Sequence, residues 1–462
     1  MAAIKRPFLH FTSPKGWIND PNGTVFHDGQ YHLFYQHYPD DVVWGPMHWG
    51  HAVSRDLLMW EHCPIALYPD EVGMCFSGSA VVDEANTSGF GAPGETPLVA
   101  AYTSHRDDVG ERQSLAHSVD GGLTWHKYQG NPVLAEPAFR DFRDPRVFWH
   151  APTQSWVMVV ASGDRARLYR SPNLREWAFA SEFGPVTALG DAVWECPDLF
   201  PLPWGDGQKW LFTLSVTSGG PVGKQGVKYF VGDFDGYGYT PLGEPRLADW
   251  GLDFYAPITF QGVEGRTVWI GWLNSWVYAT ATPAEGWRGM MSLPRELALV
   301  EGPDGPILTQ QTCGELDGLR RTTLLVRAGE AAADTRQLHC DDMGHVAVLQ
   351  GEATGAGQWT LTLCDALRLT VDTAAMTATV ERSAGRNACE HPVFPQPLAA
   401  PLVPGVPVGL RIVIDHNAVE ISLQEGRVLL SALCYPVEEN HSMTAELTGK
   451  CALDHFVLNQ LG

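Results

Sequence analysis

Trp156-Val-Met-Val-Val-Ala161 is a run of six apolar residues, and four stretches like it occur in the first 300 positions. They are Tyr31-His-Leu-Phe-Tyr-Gln36, Leu98-Val-Ala-Ala-Tyr-Thr103, Trp210-Leu-Phe-Thr-Leu-Ser215 and Val268-Trp-Ile-Gly-Trp-Leu273. Each is too short for a typical helix and rich in β-branched and aromatic residues, as buried strands are. Their starts lie 67, 58, 54 and 58 residues apart. Between them a second phrase returns, a turn cluster leading to a tryptophan: Ser54-Arg-Asp-Leu-Leu-Met-Trp60, Ser118-Val-Asp-Gly-Gly-Leu-Thr-Trp125 and Ser171-Pro-Asn-Leu-Arg-Glu-Trp177. Five quasi-repeats without clear helical periodicity predict an all-β chain whose first part is a five-bladed β-propeller with four-stranded blades. The competing arrangement is an irregular pair of packed sheets.

The texture changes near residue 301, where Glu301-Gly-Pro-Asp-Gly-Pro306 is rich in turn formers. Beyond it, Gln358-Trp-Thr-Leu-Thr-Leu363, Leu410-Arg-Ile-Val-Ile-Asp415 and Ala418-Val-Glu-Ile-Ser-Leu423 alternate as antiparallel strands do, with Gln424-Glu-Gly-Arg427 as a hairpin turn before Val428-Leu-Leu430. The expected division is a propeller over 1–300, a linker over 301–324 and a C-terminal β-sandwich over 325–462. Sixteen of the seventeen tryptophans precede residue 300, which also separates two domains of different character.

Composition narrows the function. The 462 residues carry 31 Lys+Arg against 53 Asp+Glu, a formal charge of −22. An acidic chain is a poor match for nucleic-acid phosphates or an anionic membrane surface, so neither is expected as a partner. No run of 18 apolar residues is present to form a spanning helix. The nine cysteines contain no C-x-x-C pair, which points to reduced thiols rather than a zinc site or disulfide framework. Together with an N-terminus lacking an apolar leader segment, this gives the expectation of a cytoplasmic protein with no metal site.

Three short segments place acids in turn-like settings beside aromatics: Trp17-Ile-Asn-Asp-Pro-Asn-Gly23, Phe142-Arg-Asp-Pro-Arg146 and Val193-Trp-Glu-Cys-Pro-Asp-Leu199. Singly, each reads as a structural turn, with Asp20 accepting backbone N–H groups and Arg143 serving a surface carboxylate. Jointly they say more. Asp20 to Asp144 is 124 residues and Asp144 to Glu195 is 51, about two repeats and one. Equivalent blade positions would gather three carboxyls around the axis. There they separate in proton affinity, as the acid and base of a glycosidase must.

These blocks resemble the signatures of glycoside hydrolase family 32, the invertases, exo-inulinases and levanases. W-G-P-M-H-W-G-H-A at 44–52, F-S-G-S-A at 76–80, Y-F-V-G-D-F at 229–234 and W-R-G-M-M-S-L-P-R-E-L at 287–297 extend the resemblance over most of residues 7–300. The family's fold is a five-bladed propeller with a C-terminal sandwich. The resemblance implies a retaining exo-β-fructosidase acting on sucrose and short β-fructans, with Asp20 as nucleophile, Glu195 as general acid/base and Asp144 as transition-state stabiliser beside Arg143. It implies a fructose pocket of Asn19, Gln36, Trp44, Phe76, Ser77, Cys196 and Tyr255, with Trp272 and Trp276 as rim or wall. Trp44 and Trp276 also admit a reading as plain core aromatics. Pro257 and Ile258 depart from the family pattern, which puts the leaving-group side in question. No cofactor is expected, because two carboxyl groups suffice for double displacement. The partner is then a small carbohydrate, and the protein a monomer or homodimer. A fructosyltransferase using the same intermediate and a non-catalytic fructan-binding lectin are the alternatives.

Overall fold

The computed structural model describes residues 4–327, 337–383, 388–436, 440–449 and 452–461. Cys451 and parts of the expected sandwich lie outside the described residues. Five antiparallel sheets come first. Blade 1 comprises Gly16–His27, Gln30–Tyr38, His48–Ser54 and Trp60–Leu67; blade 2, Met74–Val82, Leu98–Arg106, Gly110–Ser118 and His126–Lys127. Blade 3 comprises Phe142–His150, Ser155–Ser162, Arg165–Ser171 and Ala178–Phe183; blade 4, Trp194–Trp204, Gly207–Val216, Gly226–Phe234 and Tyr239–Pro241. Blade 5 comprises Tyr255–Thr259, Thr267–Trp272, Arg295–Gly302 and Gly305–Thr312.

The five apolar runs are the second strands of the five blades. Their composition follows from their place: alternate side chains of a strand point to opposite faces, and here both faces meet a neighbouring blade. Val157, Val159 and Ala161 pack toward blade 4 with Phe212 and Leu214. Met158 and Val160, on the other face of the same strand, pack toward blade 2 with Val81 and Val99. The run is therefore apolar throughout.

The turn-plus-tryptophan phrase joins the third and fourth strands in blades 1, 2 and 3. In each, Asp56, Asp120 or Asn173 accepts backbone N–H groups of the turn at 2.8–3.1 Å. The indole N–H of Trp60, Trp125 or Trp177 closes it on a carbonyl three residues earlier.

Ring closure uses no shared four-stranded sheet. Trp287–Arg288 instead pairs in parallel with Gly16–Trp17, and the Gly16 N–H donates to the Gly286 carbonyl at 2.8 Å. This accounts for the W-R-G segment. Gly289 has φ of +92° there, and a Cβ would meet the Ile18 carbonyl oxygen at 2.2 Å.

The domain boundary differs from expectation. Residues 301–312 are not linker: Gly305–Thr312 is the outer strand of blade 5, paired along Arg295–Gly302. The turn formers at 301–306 mark a hairpin inside the blade, and local composition cannot distinguish that from a domain junction. The connection is the short 3-10 helix Gly314–Leu319, and the first sandwich strand begins at Arg320. Two six-stranded sheets then stack around one apolar core that includes Trp359, 1% exposed.

Buried ion pairs dock the sandwich on the propeller. Arg295 of blade 5, also held at 3.0 Å by Asp249 of the propeller, meets Glu420 at 2.6 Å, and Arg382 meets Asp253 at 2.8 Å. His10 lies between Asp415 at 2.8 Å and Glu420 at 3.1 Å. Such charges tolerate burial because each has an opposite partner, and removing one partner costs several kcal/mol, roughly 3–5.

Candidate active site

Every inner strand carries a β-bulge near its start, where two residues face one on the second strand, and that of blade 1 has a further irregularity between Asn22 and Val25. The pairs are Asn19-Asp20 opposite Gln36, Phe76-Ser77 opposite Thr103, and Asp144-Pro145 opposite Val160. Cys196-Pro197 faces Leu214, and Ala256-Pro257 faces Gly271. At the bulge itself an inner strand has no ladder partner on its axial side, so proline there forfeits no hydrogen bond. In blades 3, 4 and 5 the first bulge residue is left-handed: Asp144 at φ +65°, Cys196 at +47° and Ala256 at +50°. Bulges re-aim side chains, and these five turn Asp20, Ser77, Asp144, Glu195 and Tyr255, one from each blade, into one site. The three acids do not occupy equivalent positions, as their spacing had suggested. Asp20 is the second bulge residue, Asp144 the first, and Glu195 the residue before it.

Contacts among them are specific. The Ser77 hydroxyl donates to Asp20 Oδ2 at 2.8 Å, and Cys196 Sγ lies 3.6 Å from the same oxygen and 3.5 Å from Asp144 Oδ2. The Cys196 N–H donates to Asp144 Oδ2 at 2.9 Å, and the Asp144 N–H donates to Thr103 Oγ1 at 2.9 Å. Glu195 receives Arg143 Nη2 on Oε1 at 3.0 Å and the Tyr255 hydroxyl on Oε2. Arg143 therefore serves Glu195 directly rather than Asp144. Asp20 Oδ1 is buried and carries no hydrogen bond among the described residues.

The electrostatics are those of crowded acids. Burial, then the Glu195 charge, pushes Asp20 up to about 6, against the opposing donors Ser77, Asn19 and Cys196. Asp144 is pushed up to about 7, first by burial and then by Glu195 and Asp20, with Arg143 opposing. Burial alone would lower Arg143, but Glu195, Asp144 and Glu111 outweigh it and hold the guanidinium charged. The Cys196 thiol is driven well up by burial and the surrounding carboxylates, so it stays protonated and acts as a donor.

The pocket residues divide into two groups. Trp44 and Trp276 are exposed, 43% and 39%, and so are not core aromatics. Trp276 stacks on Trp17 at 5.8 Å, and Trp44 meets Phe76 edge-on at 6.1 Å. Trp272 is fully buried behind Trp276, at 4.8 Å between rings, so it supports the wall and is not on the rim. Gln36 is buried, and its amide donates to the Cys75 carbonyl at 2.9 Å. Asn19 accepts the Trp17 indole N–H at 2.8 Å. Pro257 lies in the buried inner-strand bulge of blade 5 and Ile258 directly follows it, paired with Ile270, which accounts for a proline there and separates this departure from the rim.

Glu111 and Asp141, which grip Arg143 from the other side, and Thr103, which holds the Asp144 backbone, were not anticipated. No local pattern marks Glu111 and Thr103, because they reach from blade 2 to blade 3, whereas Asp141 lies only two residues before Arg143. Among the described residues, no group of three or more His, Cys, Asp or Glu is arranged to hold a metal ion.

Comparison with known proteins agrees with this geometry. The model described as "Glycosyl hydrolases family 32 N-terminal domain" matches residues 10–312, and "Glycosyl hydrolases family 32 C terminal" matches 330–456. A levanase from Bacillus subtilis is 41% identical over 458 residues, covering 93% of this chain and 66% of that protein. An extracellular exo-inulinase from Aspergillus niger is 44% identical over 342 residues, covering 65% of this chain and 63% of that protein. The matched stretches thus span just under two thirds of these relatives' lengths. The crystal structure of exo-inulinase from Aspergillus awamori superposes with a TM-score of 0.92 at 33% identity, covering 100% of this chain and 99% of that one. Fold, signature blocks and both domain matches lead to one conclusion: the chain belongs to glycosyl hydrolases family 32.

Proposed function

We propose that the protein is a retaining exo-β-fructosidase that removes terminal β-D-fructofuranosyl units from sucrose and short β-fructans. The observation that carries this is the asymmetry of Asp20, with Oδ2 held by Ser77 and Cys196 while buried Oδ1 is unengaged. Oδ1 attacks the anomeric C2 of the fructosyl unit as Glu195 gives its proton to the departing glycosidic oxygen. Glu195, now a carboxylate, then takes a proton from water, whose oxygen attacks C2 and releases Asp20. Asp144 accepts hydrogen bonds from fructose hydroxyls, an interaction that strengthens as the ring flattens toward an oxocarbenium-like state. Trp44 and Trp276 offer exposed aromatic faces to the sugar. The relatives named levanase and exo-inulinase support the substrate class.

The test is fructose and glucose release measured in parallel on sucrose, 1-kestose, inulin and levan. Fructose release from the short substrates is expected. Kestose-type products at high sucrose would make the protein a transferase, and absence of reducing sugar would make it a binding protein. We also propose a cytoplasmic setting, supported by the eight described cysteines being unpaired, and a monomer or homodimer. Cell fractionation and light scattering check these two points.

A further inference from the structure

Glu111 is the second residue of the third strand of blade 2, directly opposite His105, and nothing in its local sequence marks it. Both its carboxylate oxygens lie on Arg143 Nη1, at 3.1 and 3.3 Å, and Asp141 Oδ1 reaches the same nitrogen at 2.7 Å. Arg143 Nη2 meanwhile donates to Glu195 Oε1 at 3.0 Å. The guanidinium is thus a bridge, with one nitrogen engaged by two carboxylates and the other by Glu195. It is also sheltered: the side chains of Arg143 and Glu111 are 15% and 11% exposed. A planar fork can divide itself in this way, whereas a point charge cannot.

We propose that Glu111 is a positioning residue for the acid/base: by holding Arg143 Nη1 and sharing its charge, it restricts Glu195 to one guanidinium contact and preserves its ability to carry the proton given to the leaving group. The proposal rests on Glu195 being the acid. The other groups facing this pair are Asp144 on the strand of Arg143, Asp20 of blade 1, Cys196 beside Glu195, Tyr255 of blade 5 and Asp141. His105 completes the ring, with Nδ1 3.8 Å from Glu111 and its imidazole stacked on Phe76 at 4.5 Å. Without the Glu111 charge, more of the guanidinium's field falls on Glu195 and favours its anion. The acid form is then lost at lower pH.

The experiment uses the full chain and compares wild type, Glu111→Gln and Glu111→Asp on sucrose and on p-nitrophenyl β-fructofuranoside, each across pH. For Glu111→Gln the alkaline limb on sucrose should move down by about one pH unit. At neutral pH, kcat/KM on sucrose should fall about tenfold, and on the aryl substrate less than about twofold, because a phenolate departs with little protonation. Glu111→Asp keeps the charge and should fall between. In an Arg143→Lys background Glu111→Gln should add nothing, since the bridge is already gone. An unmoved limb, equal losses on both substrates, or additive effects with Arg143→Lys would overturn the role of Glu111. Glu195→Gln, measured alongside, separates the two failures. If it too ignores leaving-group quality, the acid assignment falls, and the role of Glu111 with it. If it does not, only Glu111 is misassigned.

Discussion

Replacing Asp144 by Asn should make the protein more stable and nearly inactive, and the gain in stability should depend on pH. Asp144 is 6% exposed and is pushed from an ordinary carboxyl value of 3.8 up to about 7, first by burial and then by Glu195 and Asp20. A carboxyl whose proton affinity is raised by folding contributes its full stability below 3.8 and loses it as pH rises through 7. The difference of roughly three units, at about 1.4 kcal/mol each, makes the ionised group cost about 4 kcal/mol at pH 8 and about 1 kcal/mol at pH 4.5. Asn carries no such cost. It also tolerates the left-handed φ of +65° and can still accept the Cys196 N–H with its amide oxygen. If the 462 residues unfold as one unit, with about 2 cal/mol/K of unfolding entropy each, 4 kcal/mol corresponds to about 4 °C. The assay is thermal unfolding of both proteins at pH 8 and pH 4.5, with kcat and KM on sucrose. We expect a gain near 4 °C at pH 8, near 1 °C at pH 4.5, and a kcat at least about a hundredfold lower with KM changed far less. An equal gain at both pH values, or none at pH 8, would show that Asp144 is not a strained carboxylate. A change in KM alone would make it a ground-state binding group.

Glu195→Gln should lose far more rate on sucrose than on p-nitrophenyl β-fructofuranoside, and the latter should show a burst followed by slow turnover; azide should speed that turnover and yield a β-configured fructosyl azide, whereas equal losses without rescue would exclude Glu195 as the acid/base. Asp20→Asn should remain folded and keep less than about a tenth of wild-type activity, a threshold whose failure would exclude it as nucleophile. Burial alone would lower His10, yet hydrogen bonds to Asp415 and Glu420 push it up to about 9, so its contribution is full below pH 6.5 and lost as pH rises through 9. His10→Gln should therefore lower the unfolding temperature clearly at pH 6 and much less at pH 10; an equal drop at both would remove charge from the explanation. Chelators should leave the rate unchanged, and EDTA inactivation reversed by added metal would refute this.

Much of the fold was legible because a strand buried on both faces needs a largely apolar run, and five such runs at near-regular intervals point to repeated sheets. The three acidic blocks were legible for a related reason. Turn residues, an acid and a proline fall together where an edge strand bulges, and Asp20-Pro21, Asp144-Pro145 and Cys196-Pro197 all bear that mark. The blade 5 hairpin was misplaced because Gly-Pro-Asp-Gly-Pro makes the same turn inside a sheet as between domains. The sequence by itself thus determined the number of blades, the second strand of each, and which segments bring acids to the axis. The tertiary structure alone decided that Asp20, Asp144 and Glu195 stand at three successive bulge positions, and that Trp272 is buried while Trp276 is exposed. It also decided that Arg143 is shared among Glu195, Glu111 and Asp141. The bulge positions depend on strand pairing within each blade and the other two features on side-chain packing, and both join residues separated in the chain, which no local pattern encodes.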